Sequence, residues 1–271
     1  MIYRLQRQMK LNESSMEEIK KALPGIREAG HGLDLLLSDT AYNREVPFKD
    51  LEDLYRYLSD EKIPTTCHLP YINLHPGSRD PEVHRYAKDS ILEGLEMASV
   101  LHASIAVLHL GFCNHIPPKH QEGWKERVLA LLREMIEQAE EEELILAIEN
   151  TYEPDGEMIR SVLDEIDSPW LRFCADLGHA ACFARMAPEE WISEFKDRIV
   201  LLNFHDNDGL DDLHNACGDG VVGYEPVFEA CKEADLTCPI VLEVSEEAWE
   251  PSVAHLKEIG FEFGEVPAPT V

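Results

Sequence analysis

The sequence contains few basic residues for its length. Its 271 residues include 24 Lys and Arg against 53 Asp and Glu, which gives a formal net charge of −29 with histidine neutral. Duplex nucleic acid and anionic membrane surfaces bind proteins mainly through Lys and Arg residues that neutralise phosphate. We therefore expect a small molecule as the partner, and neither nucleic acid nor a membrane.

Long apolar runs and paired cysteines are also missing. No stretch approaches the roughly 18 uninterrupted apolar residues that would span a bilayer. The first residues, MIYRLQRQMKL, lack the apolar segment of a signal peptide. The cysteines are seven in number, with no CxxC pair, which argues against a disulfide scaffold. These absences predict a cytoplasmic protein with reduced cysteines.

The apolar residues that are present, 44% of the chain, suffice for one large core and exclude a disordered acidic chain. Short β-branched runs alternate with longer amphipathic stretches. The predicted strands are 2–5, 33–37, 63–69, 104–110, 144–149, 171–176, 199–205 and 239–244. The predicted helices are 15–29, 48–60, 79–101, 119–142, 156–166, 188–197, 224–234 and 251–259.

The predicted strands are nearly continuous apolar runs, such as IAVLHL and RIVLLNFH, which is typical of parallel strands covered on both faces. Strands and helices in strict alternation, in a chain close to the ~250 residues of the fold, predict an α/β protein with a (β/α)8 TIM barrel. A doubly wound open sheet is the alternative. Because no repeat or linker interrupts the pattern, we expect a single domain over residues 1–265, followed by a Pro-rich tail, 266–271, that frays.

Residue types that bind metal ions recur at the carboxyl ends of the predicted strands. They are His68, His109, Glu149, Asp176 with His179 close behind, His205 and Glu243, together with Asp212 and His214 in the loop after the seventh strand. The carboxyl ends of barrel strands form one rim, where the active sites of this fold lie. A single such residue is commonly a hydrogen-bonded core residue. Six consecutive strands that each carry one to the same rim indicate a metal centre, because buried carboxylates are costly without a cation.

Several segments also resemble a known superfamily. They are TTCHLPYINLHPGS, AVLHLGF, AIENTY, FCADLGHA, NFHDNDGLDDLHNACGDGVVG and VLEV. They are similar to the xylose-isomerase-like TIM barrels, which include sugar phosphate isomerases and epimerases and the endonuclease IV branch of AP endonucleases (family 2). The similar motifs run from residue 63 to residue 244, and the first 60 residues match only in their strand–helix pattern.

The isomerase and epimerase branch implies one divalent ion (Mn, Mg, Co or Zn) held by Glu149, Asp176, His205 and Glu243. In this branch the two glutamates also act as the acid/base pair that moves a proton at a sugar carbon. His179 would contact substrate oxygens. The resemblance thus implies a metal-dependent isomerase or epimerase of a sugar or sugar phosphate, with catalytic residues Glu149, Glu243 and His179.

The endonuclease IV branch implies up to three zinc ions. One would be held by His68, His109 and Glu149, a second by the quartet above, and a third by His179, Asp212 and His214. The chemistry would then be phosphoester hydrolysis, on a small phosphodiester or on abasic DNA. A non-catalytic barrel that keeps its metal for stability is a third possibility.

Charge favours the isomerase over a DNA enzyme. A DNA-binding face needs clustered Lys and Arg. The loops after the strand ends carry only scattered cations: Arg79, Lys119, Arg160 and Arg185.

Other motifs have simpler interpretations. The string GDGVVG, residues 218–223, matches a dinucleotide-binding pattern but follows no strand directly, so we expect a turn into a helix and no nucleotide cofactor. The polar loop 113–123 could close over the site. Asn73, Asn150 and Asn207 are candidates to orient ligands.

Overall fold

Eight parallel strands pair in sequence order around a closed barrel in the computed structural model, which describes residues 1–12, 15–37, 46–113 and 115–266. They are β1 (Ile2–Lys10), β2 (Gly32–Leu36), β3 (Thr65–His68), β4 (Ile105–His109), β5 (Ile145–Glu149), β6 (Leu171–Asp176), β7 (Ile199–Phe204) and β8 (Pro239–Leu242). Strand β1 pairs with both β2 and β8, which closes the ring. A short β9 (Glu262–Phe263) pairs with the start of β1. The predicted (β/α)8 barrel is confirmed.

The described residues form nine helices that surround the barrel. They are α1 (Met16–Glu28), α2 (Phe48–Asp60), α3 (Pro81–Val100), α4 (Pro118–Glu141), α5 (Glu157–Ile166), α6 (Leu177–Phe183), α7 (Pro188–Phe195), α8 (Tyr224–Glu233) and α9 (Glu246–Ile259). None of these helices is long and apolar enough to cross a membrane.

Side chains inside the barrel form a small apolar cluster of their own. It contains Ile105, Val107, Ile145, Ala147, Cys174, Leu201 and Val241, and it is separate from the large core between strands and helices. Side chains alternate between the two faces of a strand. In β4, residues 105 and 107 point inward, and by the same alternation His109 points inward too. In β5, residues 145 and 147 point inward, and so does Glu149. These two candidate ligands therefore lie next to the apolar cluster inside the barrel, on the side of the carboxyl-terminal rim.

The structure differs from the predicted elements at several places. β1 runs to Lys10 and not to residue 5, and α6 and β9 were not predicted. α9 begins at Glu246, five residues before the predicted start, because the Ser245 side chain accepts a hydrogen bond from the Ala248 N–H and caps the helix there. Of the predicted tail only Val266 is among the described residues, so the domain boundary stays a prediction.

Candidate metal centre

The nine candidate ligands lie in one network of side-chain contacts at the carboxyl-terminal rim. His68 Nε2 is 3.1 Å from Glu243 Oε1 and 3.3 Å from Glu149 Oε2. His109 Nε2 is 3.3 Å from the same Glu149 oxygen. On the other side of Glu149, its Oε1 is 3.1 Å from His179 Nδ1. The structure thus brings β3, β4, β5 and β8 together around two glutamates.

The remaining ligands form two tight groups that share His205. The first contains Asp176, His179 and His205, and the second contains His205, Asp212 and His214. Within each group the atoms that could bind an ion lie within 4.8 Å of one another. Neither group contains Glu149 or Glu243. Glu149 contacts the first group through His179. Glu243 contacts the second group through His214, whose Nδ1 is 3.9 Å from Glu243 Oε2.

The chemistry of these donors fits a divalent cation. Asp176 and His205 are fully buried, and among the described residues neither Asp176 Oδ2 nor His205 Nδ1 has a hydrogen-bond partner. Buried polar atoms without partners are costly. A bound ion would use both, and the mixture of imidazole and carboxylate donors suits Zn or Mn.

The β6–α6 junction sets the positions of Asp176 and His179. Asp176 ends β6 and caps α6, since its Oδ1 accepts a hydrogen bond of 2.6 Å from the His179 N–H. Gly178 allows His205 to approach this turn, because a Cβ atom on Gly178 would lie 2.0 Å from the His205 ring. The side chain of Asn150 bonds both the N–H and the carbonyl of Asp176, at 2.9 and 2.8 Å.

Polar side chains inside the barrel orient His68. Asp34 Oδ2 is 2.8 Å from His68 Nδ1, and Asp34 Oδ1 accepts a hydrogen bond of 2.6 Å from the Thr66 hydroxyl. Gln6 in turn donates to Thr66 at 2.8 Å. With its Nδ1 proton held by Asp34, His68 presents Nε2 to the rim as a metal ligand would.

Two further amides contact the glutamates. Gln8 Nε2 donates to Glu243 Oε1 at 2.7 Å, and Asn203 Nδ2 donates to Glu149 Oε2 at 3.2 Å. Sequence analysis did not single out Gln8, Asn203 or Asp34. The available signal was the alternation of side chains along each strand, which predicts that these three residues point into the barrel.

The three asparagines that were candidates to orient ligands differ in their contacts. Asn150 holds Asp176, as described above. Asn207 donates to the carbonyl of Gly178 at 2.9 Å. Asn73 makes no hydrogen bond to a candidate ligand within the described ranges.

Asp206 fixes the loop that carries Asp212 and His214. Its carboxylate accepts hydrogen bonds from the backbone N–H groups of Asn207, Gly218 and Val222, at 2.9, 3.0 and 3.0 Å. The string 218–223 therefore forms part of this loop and leads into α8. The side chains of Asp212 and His214 remain 31% and 37% exposed, unlike the buried strand-end ligands, and thus mark the mouth of the site.

The charges at the rim are strongly coupled. Burial alone would lower the pKa of His68, but the carboxylates of Asp34 and Glu243 outweigh it and raise that pKa well above its usual range. Burial would raise the pKa of Glu149, but His109, His179 and His68 outweigh it and lower that pKa. The glutamate is therefore ionised at neutral pH, and a metal would have to displace imidazole protons to bind.

A cavity of about 260 Å³ opens beside the two glutamates. Tyr71 forms part of its wall and stacks on His109, with ring centroids 4.2 Å apart. Tyr152 and Phe183 also line it. The cavity has room for a small molecule, and both aromatic rings and ionisable groups line it.

Fold and site together define a (β/α)8 barrel with a candidate metal centre at its carboxyl-terminal rim. Residues 29–259 match the model of the xylose isomerase-like TIM barrel family, and the chain belongs to that family. A relative in Methanocaldococcus jannaschii, the uncharacterised protein MJ1311, is 26% identical over 240 residues, which are 83% of this chain and 80% of that protein.

Solved structures share the fold over almost the whole chain. A D-tagatose 3-epimerase-like protein superposes with a TM-score of 0.78 at 22% identity, covering 94% of this chain and 96% of that one. The TTHB071 protein from Thermus thermophilus, soaked with ZnCl2, gives 0.76 at 27% identity, covering 94% and 97%. D-allulose 3-epimerase from Methylomonas in complex with D-allulose gives 0.71 at 17% identity, covering 97% and 92%.

Proposed function

We propose that this protein is a divalent-metal-dependent isomerase or epimerase of a small sugar, sugar phosphate or related polyol. One observation carries the proposal: Glu149 and Glu243 both border the 260 Å³ cavity, and both contact His68 Nε2. Two carboxylates that face one small cavity can act as base and acid on the same carbon. The epimerases among the structural neighbours support this assignment.

The two glutamates would divide the proton transfer. Glu149 is ionised, so it accepts the proton of a carbon next to a carbonyl. Glu243 delivers a proton, taken from solvent, to the opposite face of that carbon. The stereocentre is inverted, and the proton on Glu149 returns to solvent. Gln8, which donates to Glu243 Oε1, positions that carboxyl group for the transfer.

The metal would be held by Asp176 and His205, which carry the unpartnered buried atoms, together with Glu149 and Glu243. When bound, it would polarise the carbonyl and hydroxyl oxygens next to the reacting carbon and so ease proton removal. His179, which lines the cavity and contacts Glu149, would bind a substrate oxygen. The rings of Tyr71, Tyr152 and Phe183 would shield the part of the cavity that they line from water.

The second candidate function is a multinuclear zinc phosphoesterase of the endonuclease IV type. It is favoured by the second donor group, His205, Asp212 and His214, which a one-metal enzyme does not require. A small phosphodiester would be its substrate in preference to DNA, because a net charge of −29 repels a phosphate backbone.

Metal content and two activity assays on one preparation distinguish these functions. The isomerase should contain about one divalent ion per chain and should exchange a carbon-bound hydrogen of a ketose with solvent deuterium. Glu149→Gln and Glu243→Gln should each slow that exchange by about 100-fold or more. Glu258→Gln, an exposed glutamate on α9, is the matched control. Nearly three zinc ions, cleavage of a model phosphodiester and no exchange with any ketose would contradict the proposal.

A further inference from the structure

A second cavity, of about 380 Å³, lies between the loops that follow β3 and β4. Its ionisable lining consists of His75, Arg79, His115, His120 and Arg127, with Cys113. None of the described Asp or Glu residues lines it. In a chain with more than two carboxylates for each Lys or Arg, a cavity bordered by two arginines and three histidines is a marked local reversal of charge.

The two arginines also differ from most other arginines of this protein in their partners. Eight arginines form ion pairs with carboxylates: Arg7, Arg27, Arg56, Arg85, Arg133, Arg160, Arg185 and Arg198. Within the described part of the chain, neither Arg79 nor Arg127 forms one. Two arginines without a carboxylate partner therefore lie at one cavity, where their guanidinium groups are available to an anion from outside the chain.

One wall of the cavity is tightly packed. Trp124 packs so closely on Gly77 that a Cβ atom there would lie 2.1 Å from the indole ring. Arg127 Nε donates to the Gly77 carbonyl at 3.0 Å, which fixes this guanidinium at the cavity. The first turn of α4 and the residues before it contribute Ile116, Pro117 and His120 to the wall, at the end of the helix where the backbone dipole favours negative charge.

We propose that this cavity binds the phosphate of a small phosphate ester, with the organic part of the ester against Ile116 and Trp124. Guanidinium groups bind phosphate through several charge-assisted hydrogen bonds at once, and the neighbouring imidazoles add donors. The cavity is separate from the metal centre, but the same two loops supply Tyr71 and follow His109. The phosphate can therefore belong to the substrate of the rim site or to a second ligand.

Binding of phenyl phosphate to the metal-free protein tests the proposal by calorimetry, and it does not depend on the proposed catalysis. Working without metal prevents phosphate from binding to a metal ion at the rim. We expect wild-type protein to bind phenyl phosphate at or below about millimolar concentration, and phenol far more weakly. Arg79→Gln should weaken binding by roughly tenfold or more. Arg85→Gln, an exposed arginine on α3, is the matched control and should bind as wild type does.

A second variant keeps the arginines and narrows the cavity. Ile116→Trp places a larger side chain against the proposed position of the organic group and should weaken binding by roughly tenfold or more. Wild-type affinity in both Arg79→Gln and Ile116→Trp would overturn the proposal, as would a wild-type protein that does not bind up to about 10 mM.

The source of the phosphate is decided by kinetics on a sugar that the enzyme converts. A lower KM for its phosphate ester than for the free sugar, lost in Arg79→Gln, assigns the cavity to the substrate. Equal KM values, with phenyl phosphate still bound, assign it to a separate phosphorylated ligand.

Discussion

Asp34→Asn should weaken zinc binding by His68, which is a ligand in the multinuclear candidate function, because it changes which nitrogen keeps its proton when His68 gives up the other to a metal. Asp34 is fully buried and accepts two hydrogen bonds, one from Thr66 and one from His68 Nδ1. An asparagine has a single acceptor oxygen. If that oxygen serves Thr66, the amide N–H faces His68 Nδ1, which must then accept. The proton moves to Nε2, where it blocks a metal.

The structure sets the size of both expected effects. Partners that orient a histidine ligand contribute about 10–100-fold to metal affinity, or roughly 1.4–2.8 kcal/mol. Replacing the carboxylate with an amide also weakens two buried hydrogen bonds, so the metal-free protein should lose about 1–3 kcal/mol of unfolding free energy. The two effects are separable, because the first requires the metal and the second does not.

Zinc affinity should be measured by competition with a chelator, and stability by urea unfolding of the metal-free protein. Asp60→Asn, an exposed aspartate at the end of α2, is the control for both. A variant that is less stable but binds zinc with wild-type affinity would refute the reasoning. In that case His68 would be a structural residue and not a ligand.

Three further predictions follow from buried groups. Burial holds the pKa of Glu153 above its usual range, so its contribution to stability is complete below the unfolded pKa and is lost as the pH rises through the folded pKa. Glu153→Gln should therefore gain stability relative to wild type as the pH rises above the ordinary range of a glutamate, measured by urea unfolding. Gly178→Ala would place a Cβ atom 2.0 Å from the His205 ring, and it should cost about 1–3 kcal/mol and lower the metal content. Gly25→Ala, in open space within α1, should instead stabilise the protein by up to about 1 kcal/mol, and the same loss in both glycine variants would contradict the steric explanation. Asp206→Ala should speed hydrogen exchange of the loop amides that donate to it, and unchanged protection would show that this carboxylate does not fasten the loop.

The fold could be predicted from the sequence because buried parallel strands leave a plain signal. Strands such as β4 and β5 are covered on both faces, so almost every residue in them is apolar, and their ends could be located to within a residue or two. The rim positions of the candidate ligands then follow from barrel geometry. Whether those nine residues bind metal stays a prediction.

Other features left no such signal. The second half of β1 carries Gln6 and Gln8, which face a polar part of the barrel interior. Because this half is not an apolar run, the predicted strand ends at residue 5. α6 has seven residues and is buried over its first four, Leu177 to Ala180, so it has no polar face from which a helical period could be recognised. The partnership of Asp34 with His68 depends on strand register, which pairs Leu36 with His68.

The distribution of the candidate ligands along the chain also bears on when a metal could bind. His68 and Glu243 are 3.1 Å apart, but one follows β3 and the other follows β8, and most of the barrel is built from the residues between them. Contacts between segments so distant in sequence form late in folding. A metal held by both His68 and Glu243 would therefore not act as a nucleus for folding, as zinc does for small zinc-dependent domains. It would stabilise a barrel that has already closed, by mass action on the finished structure, and its loading at this pair would follow folding.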